Sequence, residues 1–259
     1  MKIAYIKEAK KIVKKNNLEK YINILLDYWE ENPTTLGHGF GHVLKVAVNA
    51  FNTGELMVYK NPGELFVGGL FHDIYRPAEG VDGEEDQTKG ADIVTKLFDA
   101  NNVPGEITKK VVGAILSHDN WRKKNNPPEF DLIVSLADKM SHKNIILYYV
   151  WSSNKYTKSK FNTLAYKNYL DVIFAFVKYQ VRAWDIFKKY PGPQTNIALE
   201  VYLDMYKLFI ELYYSDKLGI GFINKIEDYA KICRKEEMLF LTEFGRSKES
   251  IKRIMKNFY

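Results

Sequence analysis

The stretch "GGLFHDIYRP" (residues 68–77) places a histidine and an aspartate at the end of an apolar, glycine-containing segment. The residues that precede His72 and Asp73 indicate that this doublet is buried. A buried imidazole or carboxylate is energetically costly unless it is paired, hydrogen-bonded or bound to a metal. The rest of the chain must therefore supply a partner for the doublet.

The segments on both sides of the doublet have helical rather than strand periodicity. Pro62 predicts the start of a helix over residues 63–74, in which Gly68 and Gly69 would let another backbone approach closely. No alternating segments joined by hairpin turns are found, so the prediction is an all-α fold. Further helices are predicted over residues 1–17, 43–57, 88–102, 104–118, 130–150, 161–190 and 196–214.

The two halves of the chain differ in character. All five histidines lie in the first 142 residues, which random placement would give only about one time in twenty. The second half is rich in aromatic residues at helical spacing and follows a polar stretch, "SSNKYTKSK" (152–160). We therefore expect a catalytic core over residues 1–150 and a helical extension packed on it over residues 151–259. Such an extension could form a homodimer interface.

Composition indicates a globular protein and argues against a membrane-spanning or disulfide-rich one. A hydrophobic fraction of 46% in 259 residues supports a sizeable core, and the apolar runs are too short to span a bilayer. The N-terminus does not resemble a signal peptide, and Cys233, the only cysteine, excludes a disulfide framework. We expect a cytoplasmic protein. The net charge of +6 is spread over many lysines and favours anionic partners.

Two further segments could supply partners for the doublet. His42 follows "GHGFG" (37–41), whose glycines permit tight turns that would bring His38 near it. Asp138 lies on a mostly apolar helix, where a carboxylate needs a cation or hydrogen-bond donors. With the doublet, these residues form a candidate site of two nitrogens and two oxygens. Such ligands suit a first-row divalent metal, and helices of a bundle can bring them together.

This ordered set of residues resembles the HD-domain metal-dependent phosphohydrolase superfamily, whose pattern is a His, a His-Asp doublet and a distant Asp. The pattern is carried here by His42 in "GHVLKVA", His72 and Asp73 in "LFHDIYR", and Asp138 in "LADKMS". The resemblance covers roughly residues 20–150. It implies a helical-bundle core in which the four residues bind one divalent ion: Mn, Fe, Co, Ni or Zn, with Mg as a further candidate.

The chain departs from the pattern of superfamily members that bind two metals. Lys89 stands near the position where those members carry an additional histidine, although His118 could match a later one. This departure favours a mononuclear site. It also argues against a di-iron oxygenase, which would need the fuller set of ligands.

The resemblance implies hydrolysis of a phosphoester or phosphoanhydride by a metal-activated water, which Asp73 would orient. Arg76 stands three residues after Asp73, where many superfamily members carry Lys or Arg, and would bind phosphate. His38 is a second candidate for substrate binding. His118 would protonate the leaving oxygen, and the basic run that begins at Arg122 would contact phosphate.

The substrate class is less determined than the chemistry. A small nucleotide-like substrate is preferred because the basic residues are dispersed and no nucleic-acid-binding module is found. One alternative is an HD-type nuclease on single-stranded nucleic acid. Another is an inactive regulatory module, which the presence of all four ligands argues against. The acidic segment 79–86 is expected to be an exposed loop or a lid over the site.

Overall fold

The computed structural model describes residues 2–33, 38–75, 83–117, 128–141 and 222–256. Within these ranges every regular element is a helix, so the predicted all-α fold is confirmed. None of the helices described there is both long enough and apolar enough to cross a membrane. The nine helices of these ranges are α1 (Lys2–Asn16), α2 (Glu19–Glu31), α3 (Phe40–Leu56), α4 (Pro62–Phe71), α5 (Gly83–Ala100), α6 (Gly105–Ser117), α7 (Glu129–Ser141), α8 (Phe222–Glu243) and α9 (Lys248–Ile254).

Most predicted helix boundaries lie within about three residues of the observed ones. Among the boundaries that fall on described residues, the largest shift is at α5, which begins at Gly83 rather than at residue 88. The last part of the helix predicted over 130–150 lies outside the described residues from residue 142 onward. Three acidic residues follow Gly83, and the helix dipole favours negative charge at a helix N-terminus. The expectation of a loop over 79–86 is therefore wrong for 83–86, which form the first turn of α5. The helices predicted over 161–190 and 196–214 lie outside the described residues.

Helices α3 and α4 form the centre of the core. Both are buried along most of their length, and they approach so closely that a Cβ atom at Gly69 would lie 2.7 Å from Ala47 Cα. A Cβ atom at Gly68 would lie 2.7 Å from Cζ of Phe130 on α7. The glycine pair thus permits the close approach expected from the sequence, and α4 packs against both α3 and α7.

Helices α5 and α6 form a hairpin that packs near the end of α4. Asn102 in the connection has a φ of 51°, a left-handed conformation that asparagine tolerates. The Val103 N–H donates to the Phe98 carbonyl at 2.9 Å and closes the end of α5. The fully buried Phe98 ring meets Phe71 edge-on at a centroid distance of 4.8 Å. This contact anchors the hairpin beside the last residue of α4.

Helices from both ends of the described chain cover the core. The Tyr5 hydroxyl of α1 donates to the Lys45 carbonyl of α3 at 2.9 Å. Glu30 of α2 forms an ion pair with Arg246 at 3.1 Å and also binds Arg253 of α9. These contacts tie the last helix to the second one.

The chain divides into two compact units. One comprises residues 1–138 together with 235–259, and the other comprises residues 139–234. The later part of α8 belongs to the first unit, in which Phe240 and Leu241 are fully buried. The division into a core over 1–150 and an extension over 151–259 remains a prediction.

Candidate metal centre

The doublet lies at the C-terminal end of α4. His72 directly follows the last helical residue, and both His72 and Asp73 are almost completely buried. The Nδ1–H of His72 donates to the Gly69 carbonyl at 2.8 Å. This hydrogen bond fixes the ring and leaves Nε2 as the nitrogen that can bind a metal.

His42 enters the same cluster from the first turn of α3. Its Nε2 lies 3.3 Å from Nε2 of His72 and 3.4 Å from Oδ2 of Asp73. The His42 N–H donates to the Gly39 carbonyl at 3.0 Å, which places His42 in the first turn of the helix. The first turn of α3 thus places the His42 imidazole next to the C-terminal end of α4.

Asp138 comes from α7 and is also buried. Its Oδ1 lies 3.5 Å from Nε2 of His42 and 3.5 Å from Nε2 of His72. Nε2 of each of these two histidines therefore lies within 3.5 Å of an oxygen of Asp73 and an oxygen of Asp138. The structure brings together the four residues that the sequence nominated as metal ligands.

The spacing of these donor atoms fits a divalent metal. Nitrogen and oxygen ligands about 2.1 Å from an ion lie about 3.0 Å apart at adjacent octahedral positions and about 3.4 Å apart at tetrahedral ones. The separations from the two Nε2 atoms to the carboxylate oxygens run from 3.1 to 3.5 Å. Two overlapping groups could hold an ion among the described residues: His38, His42 and Asp73, and His42, His72 and Asp138.

His38 contacts the cluster from the segment before α3. Its Nδ1 lies 3.0 Å from Oδ2 of Asp73, and its ring meets His42 edge-on at a centroid distance of 5.8 Å. The His38 side chain is 12% exposed, whereas that of Asp73 is 3% exposed. The residue nominated for substrate binding thus lies against a candidate ligand and at the more solvent-accessible edge of the cluster.

Burial and charge act differently on the two central imidazoles. Burial lowers the pKa of His42 to about 4. At His72, burial favours the neutral ring as well, but the charge of Asp73 and the contacts with Asp138 outweigh it and raise the pKa of His72. Asp73 and Asp138 thus stabilise a positive charge at the centre of the cluster. They would stabilise a bound metal cation in the same way.

Two residues that sequence reasoning missed support the cluster. The fully buried Trp29 of α2 donates from Nε1 to the Ile74 carbonyl at 3.1 Å, directly after the doublet. Glu237 of α8 accepts hydrogen bonds from the first two N–H groups of α3. A tryptophan on an apolar helix face is a recognisable sequence signal. Glu237 gives none, because it lies in the strongly charged stretch "RKEEM".

The placement of three other nominated residues is not described. Arg76, His118 and Arg122 lie outside the described residues. Lys89, which stands near the position expected for an additional ligand, is exposed on α5 and places Nζ 5.8 Å from the Tyr75 ring centroid. A lysine cation at this position is compatible with the expected mononuclear site.

Comparison with known proteins agrees with this geometry. Residues 39–142 match the family model described as HD domain. No curated protein and no solved structure matches the chain. The matched segment contains His42, the doublet and Asp138, and an HD domain with such a cluster supports a metal-dependent hydrolase in general. Residues 39–142 are thus similar to an HD domain, and all four candidate ligands lie within the matched segment.

Proposed function

We propose that this protein hydrolyses a phosphoester or phosphoanhydride bond of a small nucleotide-like substrate with the help of one divalent metal ion. The observation that carries the proposal is the buried set of two imidazoles and two carboxylates contributed by α3, α4 and α7. Each of the two Nε2 atoms lies within 3.5 Å of oxygens from both Asp73 and Asp138. This donor set is suited to Mn, Fe, Co, Ni or Zn.

The roles of the cluster residues follow from their positions. A divalent ion held by His42, His72, Asp73 and Asp138 would polarise a phosphoryl oxygen and lower the pKa of a water molecule. Asp73 is the residue proposed to orient that water. His38 contacts Asp73 at 3.0 Å and is partly exposed, so it is proposed to meet the substrate beside the metal.

The phosphate contacts are proposed from the sequence. Arg76 follows Asp73 by three residues, and its planar guanidinium can hold two phosphoryl oxygens at once. His118 is proposed as the acid for the leaving oxygen and Arg122 as a further phosphate contact. A small substrate is favoured because the positive charge of the chain is dispersed. Homodimerisation and a cytoplasmic location remain part of the proposal.

A substrate panel with defined metals tests the function. The metal-free protein would be loaded with Mn²⁺, Fe²⁺, Co²⁺, Ni²⁺, Zn²⁺ or Mg²⁺ and assayed with nucleoside phosphates, cyclic phosphodiesters and a labelled single-stranded oligonucleotide. We expect metal-dependent release of phosphate or of a monoester from a small substrate. Salt-sensitive cleavage of the oligonucleotide alone would replace this function with that of a nuclease.

A pair of aspartate variants separates the site from the rest of the protein. Asp73→Ala should abolish metal binding and activity while the helical content is kept, because it removes a ligand without removing a helix. Asp99→Ala changes the same residue type at an exposed position of α5 and should leave both intact. Unchanged bound metal in Asp73→Ala, measured by elemental analysis, would remove Asp73 from the site.

A further inference from the structure

A carboxylate from the last part of the chain closes the N-terminus of α3. The Phe40 N–H donates to Oε1 of Glu237 at 2.5 Å, and the Gly41 N–H donates to Oε2 at 2.7 Å. Gly39, the residue before the helix, has no side chain that could cap it. The first N–H groups of a helix need partners from outside it. Glu237 supplies this partner from a position almost 200 residues away.

The first turn of α3 is shaped to receive Glu237. A Cβ atom at Gly41 would lie 3.0 Å from Oε2 of Glu237 and 3.4 Å from Cδ2 of Phe240. The Phe40 ring also meets Phe244 edge-on at a centroid distance of 5.2 Å. A side chain at residue 41 would press on the carboxylate, which would have to move back by a few tenths of an ångström. The contact therefore depends on residues from both helices.

Glu237 acts on the metal centre through the backbone. Gly41 immediately precedes His42, whose Nε2 faces Asp73 and Asp138. A shift or fraying of the first turn of α3 would move the His42 ring away from these oxygens. Both oxygens of Glu237 are engaged by backbone N–H groups, and among the described residues Glu237 is not a member of either potential ligand group.

We infer that Glu237 is a positioning residue that holds the first turn of α3 so that His42 is oriented to bind the metal ion. This inference rests on the metal site proposed above. It assigns a function in metal binding to a part of the chain outside the segment 39–142 that matches the HD domain.

Co²⁺ binding by the full-length protein tests the inference. Glu237→Gln keeps the shape of the side chain but turns one acceptor into an NH₂ group that faces an N–H donor. At pH 8, we expect the Kd for Co²⁺ to rise about tenfold, the size of effect seen when support of a ligand is lost. The visible absorption spectrum of bound Co²⁺ should change as well, since it reports the ligand geometry.

The neighbouring glutamate provides the matched control. Glu236→Gln makes the same change of charge one residue away, and Glu236 pairs with the Lys45 side chain at 3.0 Å. It should leave the Kd within about twofold of the parent value, as expected for a partly exposed ion pair. A parent-like Kd in Glu237→Gln, or an equal rise in both variants, would overturn the inference.

A second variant covers the case in which Glu237→Gln does not fold. Gly41→Ala leaves every charge in place and improves local helix propensity, but its methyl group would lie 3.0 Å from Oε2 of Glu237 and push the carboxylate away from the Gly41 N–H. It should also weaken Co²⁺ binding, whereas a parent-like Kd would contradict the inference. Hydrogen exchange at the Phe40 and Gly41 amides should accelerate in both variants. If the parent protein binds none of the metals of the substrate panel, the proposed function fails. If Glu237→Gln does not accelerate the exchange of the Phe40 and Gly41 amides, the inference about Glu237 fails separately.

Discussion

The His72 ring is held from both of its nitrogen atoms. Its Nδ1–H donates to the Gly69 carbonyl at 2.8 Å, and its Nε2 lies 3.1 Å from Oδ2 of Asp73. A ring fixed through one nitrogen presents the other in a single orientation, which reduces the conformational entropy lost when an ion binds. The doublet is therefore preorganised for metal binding by the end of the helix that carries it.

Replacement of Arg76 tests the proposed phosphate contact. Arg76→Ala should leave the metal content intact and lower kcat/KM by one to a few powers of ten, roughly 2 to 4 kcal/mol of lost transition-state stabilisation. Arg76→Lys should recover only part of this loss, because a point charge cannot make a bidentate contact. Parent-like kinetics in Arg76→Ala, on a substrate that the parent hydrolyses well, would assign Arg76 to the surface.

Glu237 should give the stability of the protein a distinct pH dependence. Burial raises the pKa of Glu237 to about 7, although the N–H groups of Gly41 and Phe40 and the charge of Lys45 act in the opposite direction. Between pH 4.5 and 7 the folded state holds a proton that the unfolded state has lost. The contribution of Glu237 to the free energy of unfolding therefore falls as the pH rises through this window and is level above it.

Urea unfolding at pH 5 and pH 8 measures this effect. The stability of the parent relative to Glu237→Gln should fall by on the order of 2 to 3 kcal/mol between the two values. The comparison cancels the titration of the histidine cluster and of Glu236, which both proteins share. Identical pH profiles for the two proteins would show that Glu237 titrates normally.

The sequence predicts residues of the site unequally, for a physical reason. His42, the doublet and Asp138 are recognisable because polar side chains in apolar helical segments require a partner. The contact of His38 with Asp73 depends on the path of the glycine-containing segment, which residue types alone do not determine. Glu237 interacts through backbone N–H groups that every residue except proline possesses, so no pattern near residue 41 indicates its partner.

At the level of helices, the contact between α3 and α4 determines the geometry of the centre. These helices carry His42 and the doublet, and they meet at Gly69, where the nearest neighbours are backbone atoms of Val46 and Ala47. Backbone atoms cannot move aside as a flexible side chain can. The distance between the His42 and His72 imidazoles therefore depends on residue 69 being a glycine, because any side chain there would push α3 and α4 apart.

Gly69→Ala should separate the two helices. The added methyl group would lie 2.7 Å from Ala47 Cα, so we expect a loss of about 3 kcal/mol in the free energy of unfolding together with weaker metal binding. Thermal denaturation and Co²⁺ titration measure the two effects. Gly105→Ala is the control, because within the described residues nothing outside the local backbone lies within 4 Å of its added methyl group, and α6 should keep or gain stability. Equal stability of the two variants would contradict close packing at Gly69.

Helices were easier to predict than their ends. The apolar periodicity of α3, α4, α5, α6 and α7 locates each of them, because the same spacing buries one face of a helix. The end of α4 is predicted three residues too late, since the doublet continues the apolar segment although His72 already leaves the helix. The apolar pattern predicts that the doublet is helical. In the structure, the His72 side chain instead donates to the Gly69 carbonyl just after the end of α4.

At the scale of the whole molecule, the first compact unit is discontinuous in sequence. Residues 235–259 complete a unit whose other members are residues 1–138. Composition and periodicity cannot reveal this pairing, because the side chains that cover α3 are ordinary apolar residues on an amphipathic helix. The histidine distribution directs attention to the first half, but it carries no information about which later segment packs there.

Removal of residues 235–259 tests this organisation. The deletion would expose core surface that Phe240, Leu241, Ile251 and Ile254 cover. Each such side chain contributes about 1.5 to 3 kcal/mol when buried, so the loss approaches the total stability of a typical domain. We expect the shortened protein to lack a cooperative unfolding transition in circular dichroism. A chain that ends at residue 256 is the control, and cooperative unfolding of both would contradict the assignment.

The discontinuous unit has a consequence for biosynthesis. A ribosome that adds about 5 to 20 residues per second needs roughly 5 to 20 s to translate residues 139–234. During this interval the nascent N-terminal segment lacks the helix that will cover Phe40 and Gly41, and its exposed apolar surface is a target for chaperones. Glu237 can hold the first turn of α3 only after it has left the exit tunnel, so maturation of the metal centre is expected to follow translation of the segment 235–259.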